Sequence, residues 1–211
     1  MKHLIIIGVG GFAREVYWHA QDSFGYGTEW DLKGFLDGDV RLEEEEYRKL
    51  KLPLWGDVND YQIQEDDVFI CAIANPKVKK KIVELVRERG GEFINLIHRT
   101  AIIHETARLG TGNILCPFDT IHDYSVMGNY ITLNGRVGIS HDVEVGDYSS
   151  IMGVVSINGW AKVGKCTFWG TNSVAMPYSK IEDDAFVGVG GVVFKRVRKG
   201  QKVFGNPAVP I

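Results

Sequence analysis

The sequence is poor in cysteine and proline, and it contains no long hydrophobic run. Its three cysteines, Cys71, Cys116 and Cys166, are an odd number and show no C-x-x-C spacing. This pattern indicates neither a disulfide framework nor a zinc knuckle. The longest early apolar run, residues 4–7, is too short for a signal peptide or a membrane span. We therefore predict a cytoplasmic protein with no metal site and no membrane insertion.

An excess of either charge is also missing. The 211 residues carry 24 basic and 27 acidic side chains, for a net charge of −3, and 45% of the residues are hydrophobic. This balance excludes a basic nucleic-acid scaffold and a disordered acidic chain, so no nucleic-acid partner is expected. The length suits two modest domains. Glycine, in contrast, is abundant: the 25 glycines exceed the usual share of about 7% and require an explanation in backbone geometry.

Residues 1–98 alternate between strand and helix patterns. A β-rich run at residues 2–7 ends at a glycine turn, after which Phe12, Val16 and Ala20 recur at helical spacing. Further β-like runs occur at residues 32–36, 68–73 and 92–97, and Pro76 opens a helical stretch at residues 77–89. The order predicts a Rossmann-like α/β domain with a parallel sheet. Four successive glutamates at residues 43–46 are expected to be solvated.

The glycine turn suggests a phosphate-binding loop. Gly8, Gly10 and Ala13 match the G-x-G-x-x-A fingerprint, in which the backbone approaches a phosphate at a helix N-terminus. Asp37, at the end of the second predicted strand, could accept a hydrogen bond from a ribose or a base. A domain of this size provides half of a two-lobed dinucleotide fold, so a complete NAD site is not expected. The alternative is a tight strand-to-helix turn without a ligand.

The second half has a six-residue period. Sixteen apolar residues occur at every sixth position from Ile103 to Val193, and a mostly small or β-branched series lies two positions before them. Such a pattern indicates a triangular coil closed by three hexads. Four glycines that are eighteen residues apart should then share one corner: Gly110, Gly128, Gly146 and Gly164. About five coils fit between residues 103 and 193.

The hexads and several short motifs together resemble the bacterial sugar acyltransferases of the hexapeptide-repeat family, typified by sialic acid O-acetyltransferase and UDP-4-amino-sugar N-acetyltransferase. The motifs are Gly8-Val9-Gly10-Gly11, Gly34-Phe35-Leu36-Asp37, Ala72-Ile73-Ala74-Asn75, Asn95-Leu96-Ile97-His98 and Gly205-Asn206-Pro207-Ala208. The resemblance implies a left-handed parallel β-helix over residues 99–211, with acetyl-CoA as co-substrate. It also implies a homotrimer, because the family binds coenzyme A in a groove between neighbouring β-helices.

His141 and Asp142 are the predicted catalytic residues. An imidazole at a coil corner, oriented by a neighbouring carboxylate, can take a proton from a sugar hydroxyl or amine, although a polar corner residue is the alternative reading. The resemblance implies that His141 is the general base and that Asn134 positions the acceptor. No cysteine lies within twenty residues of His141, so we predict direct transfer from the thioester rather than a covalent enzyme intermediate.

Two further sets of residues complete the predicted site. The sugar or nucleotide-sugar acceptor is assigned to Gly8, Gly10, Gly11, Phe12, Asp37 and Asn75. The resemblance assigns coenzyme A to Gly159, Thr171, Gly188, Val189 and Gly190.

The reaction itself is predicted from two departures from the family pattern. Phe12 and Ser150 stand where several relatives have histidines. This favours O-acetylation of a surface-polysaccharide sugar or its precursor over the alternative, UDP-4-amino-sugar N-acetylation. An alternative of another class is a non-catalytic, nucleotide-binding trimeric scaffold.

Overall fold

The computed structural model describes residues 1–37 and 49–211. Within residues 1–37 and 49–95, four parallel strands and two helices form an α/β unit. They are β1 (Lys2–Ile7), α1 (Gly11–Gln21), β2 (Trp30–Leu36), β3 (Asp67–Cys71), α2 (Pro76–Glu88) and β4 (Glu92–Phe93), with the strand order β2-β1-β3-β4. The predicted Rossmann-like arrangement is confirmed. The glutamate run at residues 43–46 lies outside the described residues.

The two helices cover opposite faces of this sheet. Leu4 and Ile6 of β1 pack with Val16 of α1, whereas Ile5 and Ile7 pack in the cluster that contains the apolar residues of α2. Successive strand residues point to opposite faces, so a strand covered on both sides is apolar throughout. This explains the uninterrupted apolar run at the start of the chain.

The predicted strand at residues 92–97 is two strands that belong to different sheets. Glu92–Phe93 pairs with β3, whereas Leu96–Ile97 pairs with Ile114–Leu115 and is the first strand of the β-helix. Residues 94 and 95 make the crossing, and the Asn95 side chain donates to the carbonyl oxygen of Gly110. The β-like residue types at positions 92–97 do not reveal this change of sheet, because strand propensity carries no information about which strand is the partner.

The remaining chain winds into a three-sided parallel β-helix. Face 1 contains Leu96–Ile97, Ile114–Leu115, Thr132–Leu133, Ser150–Ile151, Phe168–Trp169, Phe186–Val187, Lys202–Phe204 and, antiparallel at its end, Val209–Pro210. Face 2 contains Ile102–Ile103, Thr120–Ile121, Gly138–Ile139, Ser156–Ile157, Val174–Ala175 and Val192–Val193. Face 3 contains Arg108–Leu109, Val126–Met127, Glu144–Val145, Lys162–Val163, Lys180–Ile181 and Arg196–Val197. The helix has about six coils rather than five, because the winding starts before Ile103 and continues after Val193.

Both predicted inward series line the interior of the β-helix. Fourteen of the sixteen apolar positions from Ile103 to Val193 are buried in one hydrophobic cluster, and the other two, Ile103 and Leu109, are partly buried and pack against it. The smaller series lies beside it, and several of its polar members bond to the coil backbone: Asn113, for example, accepts from the Ile131 amide at 2.8 Å and donates to the Gly128 carbonyl at 3.1 Å. The hexad interpretation is therefore confirmed.

The four glycines that are eighteen residues apart share one corner, as predicted. Glycine is required there because atoms of the next coil lie too close for a Cβ, and not because φ is positive. A Cβ on Gly128 would lie 2.5 Å from Oδ1 of Asp147, and one on Gly146 would lie 2.7 Å from the carbonyl carbon of Gly164. The corner residues that adopt positive φ are different ones. They occur at every sixth position from Phe118 to Asp184, and all twelve are non-glycine residues.

Val154 is the least suitable residue for this left-handed corner position, because a β-branched side chain is strained at its φ of 62°. Asn172 and Gly190 occupy the equivalent position in the next coils. We expect Val154→Asn to raise the free energy of unfolding by about 1 kcal/mol, measured by urea denaturation. Because Val154 is half exposed, little packing is lost. An unchanged or lower stability would contradict this interpretation.

Asp119 is a buried carboxyl with incomplete hydrogen bonding. Its Oδ1 accepts from the Val137 amide at 2.8 Å, whereas Oδ2 has no partner among the described residues. Burial raises the pKa of Asp119 to about 7. The folded protein therefore keeps a proton that the unfolded chain has lost, so this group makes stability fall as pH rises from about 4 to 7.

Asp119→Asn should remove that pH dependence and stabilise the protein at pH 8 by about 1–3 kcal/mol. Asn113 shows that an amide is accommodated at the equivalent position of the preceding corner. The measurement is thermal or urea unfolding of both proteins between pH 4 and pH 8. Parallel stability curves for variant and wild type would contradict the prediction.

Candidate functional site

The predicted nucleotide loop lies at the carboxyl edge of the N-terminal sheet. Gly8 follows β1 with a φ of +111°, and a Cβ there would lie 3.1 Å from the carbonyl oxygen of Ala72, which follows β3. The strand order reverses between β1 and β3, and ligands of open α/β sheets bind at such a crevice. Asp37, at the end of β2, accepts from the Val9 amide at 3.1 Å. This bond holds the loop against the sheet.

The two helices that start at this edge differ in their N-termini. Gly10 precedes α1 without capping it by a side chain, so the first-turn amides of α1, which begins at Gly11, can face an anion. Asn75, in contrast, caps α2: its Oδ1 accepts from the amides of Lys77 and Val78 at 3.0 and 3.2 Å. Phe12 is partly buried against the core beneath α1. Thus the six predicted acceptor residues share one edge, and Asn75 already has a structural role.

His141 lies at the corner between faces 2 and 3, two residues after the strand Gly138–Ile139. Its Nδ1 is 2.9 Å from Oδ2 of Asp142, and the two side chains are 49% and 40% exposed. A carboxylate at this distance favours the tautomer with the proton on Nδ1 and leaves Nε2 as a proton acceptor. The predicted pair is therefore present, and it is accessible.

Two residues of the next coil hold the His141 ring. A Cβ on Gly159 would lie 2.7 Å from Cε1 and 2.9 Å from Nε2 of the imidazole, so the ring rests on the Gly159 backbone. The Trp160 ring meets it edge to face, with centroids 4.5 Å apart, and itself stacks on Tyr178. Asp142, Trp160 and Tyr178 line an open depression of about 510 Å³ on the side of face 3. Sequence reasoning assigned neither aromatic residue to the site.

The other predicted site residues of the β-helix lie at a different corner. Asn134 follows Thr132–Leu133 at the corner between faces 1 and 2, and its amide donates to the Ile151 carbonyl. Thr171 and the Gly188-Val189-Gly190 segment occupy the same corner in later coils; the Gly190 amide donates to the Thr171 carbonyl. Of the predicted coenzyme A residues, only Gly159 lies beside His141. Face 2 therefore separates the two groups within one chain.

Ser150 lies on face 1, away from both corners and beneath the N-terminal unit. It is fully buried, and its hydroxyl accepts from Nζ of Lys79 at 2.8 Å. It cannot contact a ligand beside His141. The Ser150 side chain thus gives no support to the prediction of O-acetylation.

A second histidine group occupies the His141 corner in earlier coils. The rings of His104 and His122 are 4.7 Å apart, as their eighteen-residue spacing predicts, and Asp123 lies 3.3 Å from Nδ1 of His104. The Asp123 side chain also accepts from the Thr106 hydroxyl, which lowers its pKa. Within residues 1–37 and 49–211, no group of three or more His, Cys, Asp or Glu side chains could hold a metal ion.

Both parts of the chain are similar to known proteins. Residues 3–86 match the family described as the PglD N-terminal domain. GDP-perosamine N-acetyltransferase of Escherichia coli O157:H7 is 30% identical over 137 residues, which are 65% of this chain and 54% of that protein. The chain is therefore similar in sequence to a sugar acetyltransferase. It matches about half the length of this curated relative.

Solved structures match the chain over its entire length. PerB from Caulobacter crescentus, in complex with CoA and GDP-perosamine, has a TM-score of 0.88 and 24% identity, covering 100% of this chain and 98% of that one. The acetyltransferase domain of PglB from Neisseria gonorrhoeae FA1090, in complex with acetyl coenzyme A, has a TM-score of 0.86 and 23% identity, covering 100% and 99%. These matches confirm the predicted fold, and the sequence similarity to GDP-perosamine N-acetyltransferase agrees with the resemblance inferred from the motifs.

Among the described residues, no helix is both long and apolar enough to span a membrane.

Proposed function

We propose that the protein is an acetyl-CoA-dependent N-acetyltransferase that acts on the amino group of a nucleotide-linked amino sugar. The observation that carries the proposal is the exposed His141–Asp142 pair, with Nε2 available, in a homologue of GDP-perosamine N-acetyltransferase. The comparisons favour this alternative over the O-acetylation that the sequence predicted. The cytoplasmic location stays a prediction.

The proposed mechanism is a direct transfer. The acceptor amine attacks the thioester carbonyl of acetyl-CoA, and His141 Nε2 takes the proton that the nitrogen loses as the new C–N bond forms. Asp142 stabilises the resulting imidazolium through Nδ1. A backbone N–H stabilises the charge that develops on the carbonyl oxygen. When the C–S bond breaks, coenzyme A leaves as the thiolate.

The acceptor binds at the carboxyl edge of the N-terminal sheet in this proposal. Gly8, Gly10 and Gly11 bring the backbone and the α1 N-terminus to the diphosphate, and Asp37 lies beside them. Phe12 and Asn75 border the same edge. Gly159, Thr171, Gly188, Val189 and Gly190 contact coenzyme A. A side chain at Gly190 would meet nothing within 4 Å, and Val189 is 70% exposed, so this corner is open to a ligand.

We propose a homotrimer because one chain does not bring the two ligand corners together. His141 and Gly159 lie at one edge of face 2, and Asn134, Thr171 and Val189 lie at the other. Packing the first corner of one copy against the second corner of the next would complete a site between them. The outward side chains of face 2 carry no charge, whereas those of face 3 include Glu144, Lys162 and Lys180. An uncharged face suits such an interface.

A mass-spectrometric assay with acetyl-CoA and GDP-perosamine, alongside other nucleotide-linked amino sugars, tests the proposal. The expected product has gained one acetyl group that survives mild alkaline hydroxylamine, as an amide does. A labile acetyl group would indicate O-acetylation instead. If calorimetry shows no binding of acetyl-CoA and no product forms, the non-catalytic scaffold would replace the proposed enzyme.

A further inference from the structure

Lys79 is a fully buried lysine in the apolar stripe of α2. The buried residues of this helix are Pro76, Lys79, Val83 and Val86, which recur at helical spacing on one face. Lys79 is 1% exposed, whereas its neighbours Lys80 and Lys81 are exposed. A lysine on the inward face of a helix is costly to bury, so its contacts require an explanation.

The Lys79 side chain crosses from the N-terminal unit to face 1 of the β-helix. Its Nζ donates to Thr132 Oγ1 at 3.0 Å, to the Ser149 carbonyl at 3.2 Å and to Ser150 Oγ at 2.8 Å. These acceptors lie on two successive coils. Three donors thus meet three oxygens, which satisfies an ammonium group completely.

This cluster has no carboxylate partner among the described residues. Burial lowers the pKa of Lys79 to about 7, and the ionisable groups that face it are Cys71 of β3 and Cys166 of the corner between faces 3 and 1. Burial also raises the pKa of both thiols, so they stay neutral near pH 7. A neutral Lys79 amine can donate two bonds and accept one from a hydroxyl, so the contacts persist in either state.

The cluster joins the two halves of the proposed acceptor path. On one side, α2 begins at Asn75 and Pro76, at the carboxyl edge of the sheet. On the other side, Thr132 lies in the strand that leads to Asn134. We propose that Lys79 is a positioning residue that fixes the nucleotide-binding unit in one register on the β-helix, so that the bound acceptor is aligned with the acetyl-transfer site.

This role rests on the proposed function and predicts a selective effect. The acceptor contacts both units, whereas the proposed coenzyme A residues all belong to the β-helix. Removing the Lys79 contacts should therefore weaken use of the acceptor without weakening use of acetyl-CoA. Loss of general stability would not separate the two substrates in this way.

Lys79→Met is the test variant, and Lys81→Met, an exposed lysine of the same helix, is the matched control. We expect Lys79→Met to raise KM for GDP-perosamine or its accepted analogue about tenfold, as for the loss of one or two buried polar contacts. KM for acetyl-CoA should stay within about twofold. Equal changes in both KM values, or none, would overturn the proposal. If Lys79→Met does not fold, Ser150→Ala removes one acceptor and should raise the acceptor KM about threefold.

Two measurements that do not depend on catalysis test this proposal separately from the proposed function. Hydrogen exchange of the amides at residues 72–75 and 149–151 should accelerate in Lys79→Met and stay unchanged in Lys81→Met, even if wild type proves to have no acetyltransferase activity. Because the folded state binds the Lys79 proton less tightly than the unfolded chain, wild-type stability should also rise between pH 7 and pH 9. This rise should vanish in Lys79→Met. If Lys79→Met shows the same amide exchange rates and the same pH dependence of stability as wild type, the register role is refuted whether or not the protein is active.

Discussion

His141→Ala is expected to lower kcat for acetyl transfer by at least about 10²-fold, because the variant loses the group proposed to accept the proton from the acceptor. The His141 ring is half exposed at a corner, so its removal should leave the thermal unfolding midpoint nearly unchanged. Steady-state kinetics with acetyl-CoA and the accepted nucleotide sugar provide the measurement.

His104→Ala is the matched control for this experiment. His104 lies at the same corner two coils earlier and also pairs with an aspartate, Asp123; its side chain is 36% exposed, against 49% for His141. We expect this variant to keep near wild-type kcat. Wild-type activity in His141→Ala, or an equal loss in both variants, would eliminate His141 as the general base.

Gly159→Ala should cost about 10- to 100-fold in kcat through displacement of the His141 ring, since small misplacements of a catalytic group have effects of this size. The added Cβ would lie 2.7 Å from Cε1 of the imidazole, so the ring must move. Gly159 does not have positive φ, and its backbone therefore accepts alanine without strain. The readout is kcat, together with the folded state judged from thermal unfolding.

A double variant distinguishes ring displacement from damage to the coenzyme A groove, which the same glycine is proposed to line. If Gly159→Ala acts through His141, it should lower kcat little further in the His141→Ala background. Additive losses in the double variant would show that Gly159 acts mainly on coenzyme A.

The interior of the β-helix could be predicted from the sequence because its period reports side-chain direction directly. A residue that recurs every six positions, such as Ile139 or Ile157, has to face the same way in each coil. The α/β unit was predictable on a different ground, because Gly8 and Gly10 mark a strand-to-helix turn. The local pairing of His141 with Asp142 also followed from adjacency at a corner.

Features that depend on neighbouring coils were not predictable in this way. Tyr124, Val154 and Trp160 adopt positive φ because the chain path demands it, although no glycine or asparagine marks these positions. Trp160 approaches His141 through coil stacking, which links residues nineteen positions apart. The burial of Lys79 was concealed within a lysine-rich run, and only its place among Pro76, Val83 and Val86 signals it.

Hexad spacing predicts that His141 lies at a coil corner, and the family resemblance adds Asn134 to the proposed site, but neither reveals that the two residues lie at different corners. Their positions on either side of face 2 emerge only when the strands are placed. The proposed sharing of the site between copies follows from this separation, because neither corner alone holds both proposed sets of residues.

Complementation between two variants tests this central claim most directly. His141→Ala removes the base at one corner, and Val189→Asp places a carboxylate at the other, where the proposal puts coenzyme A. Mixed assemblies, purified through a different tag on each chain, should acetylate the acceptor far faster than either variant alone, because some interfaces combine two intact corners. Mixed assemblies no more active than the separate variants would contradict a site built from two chains.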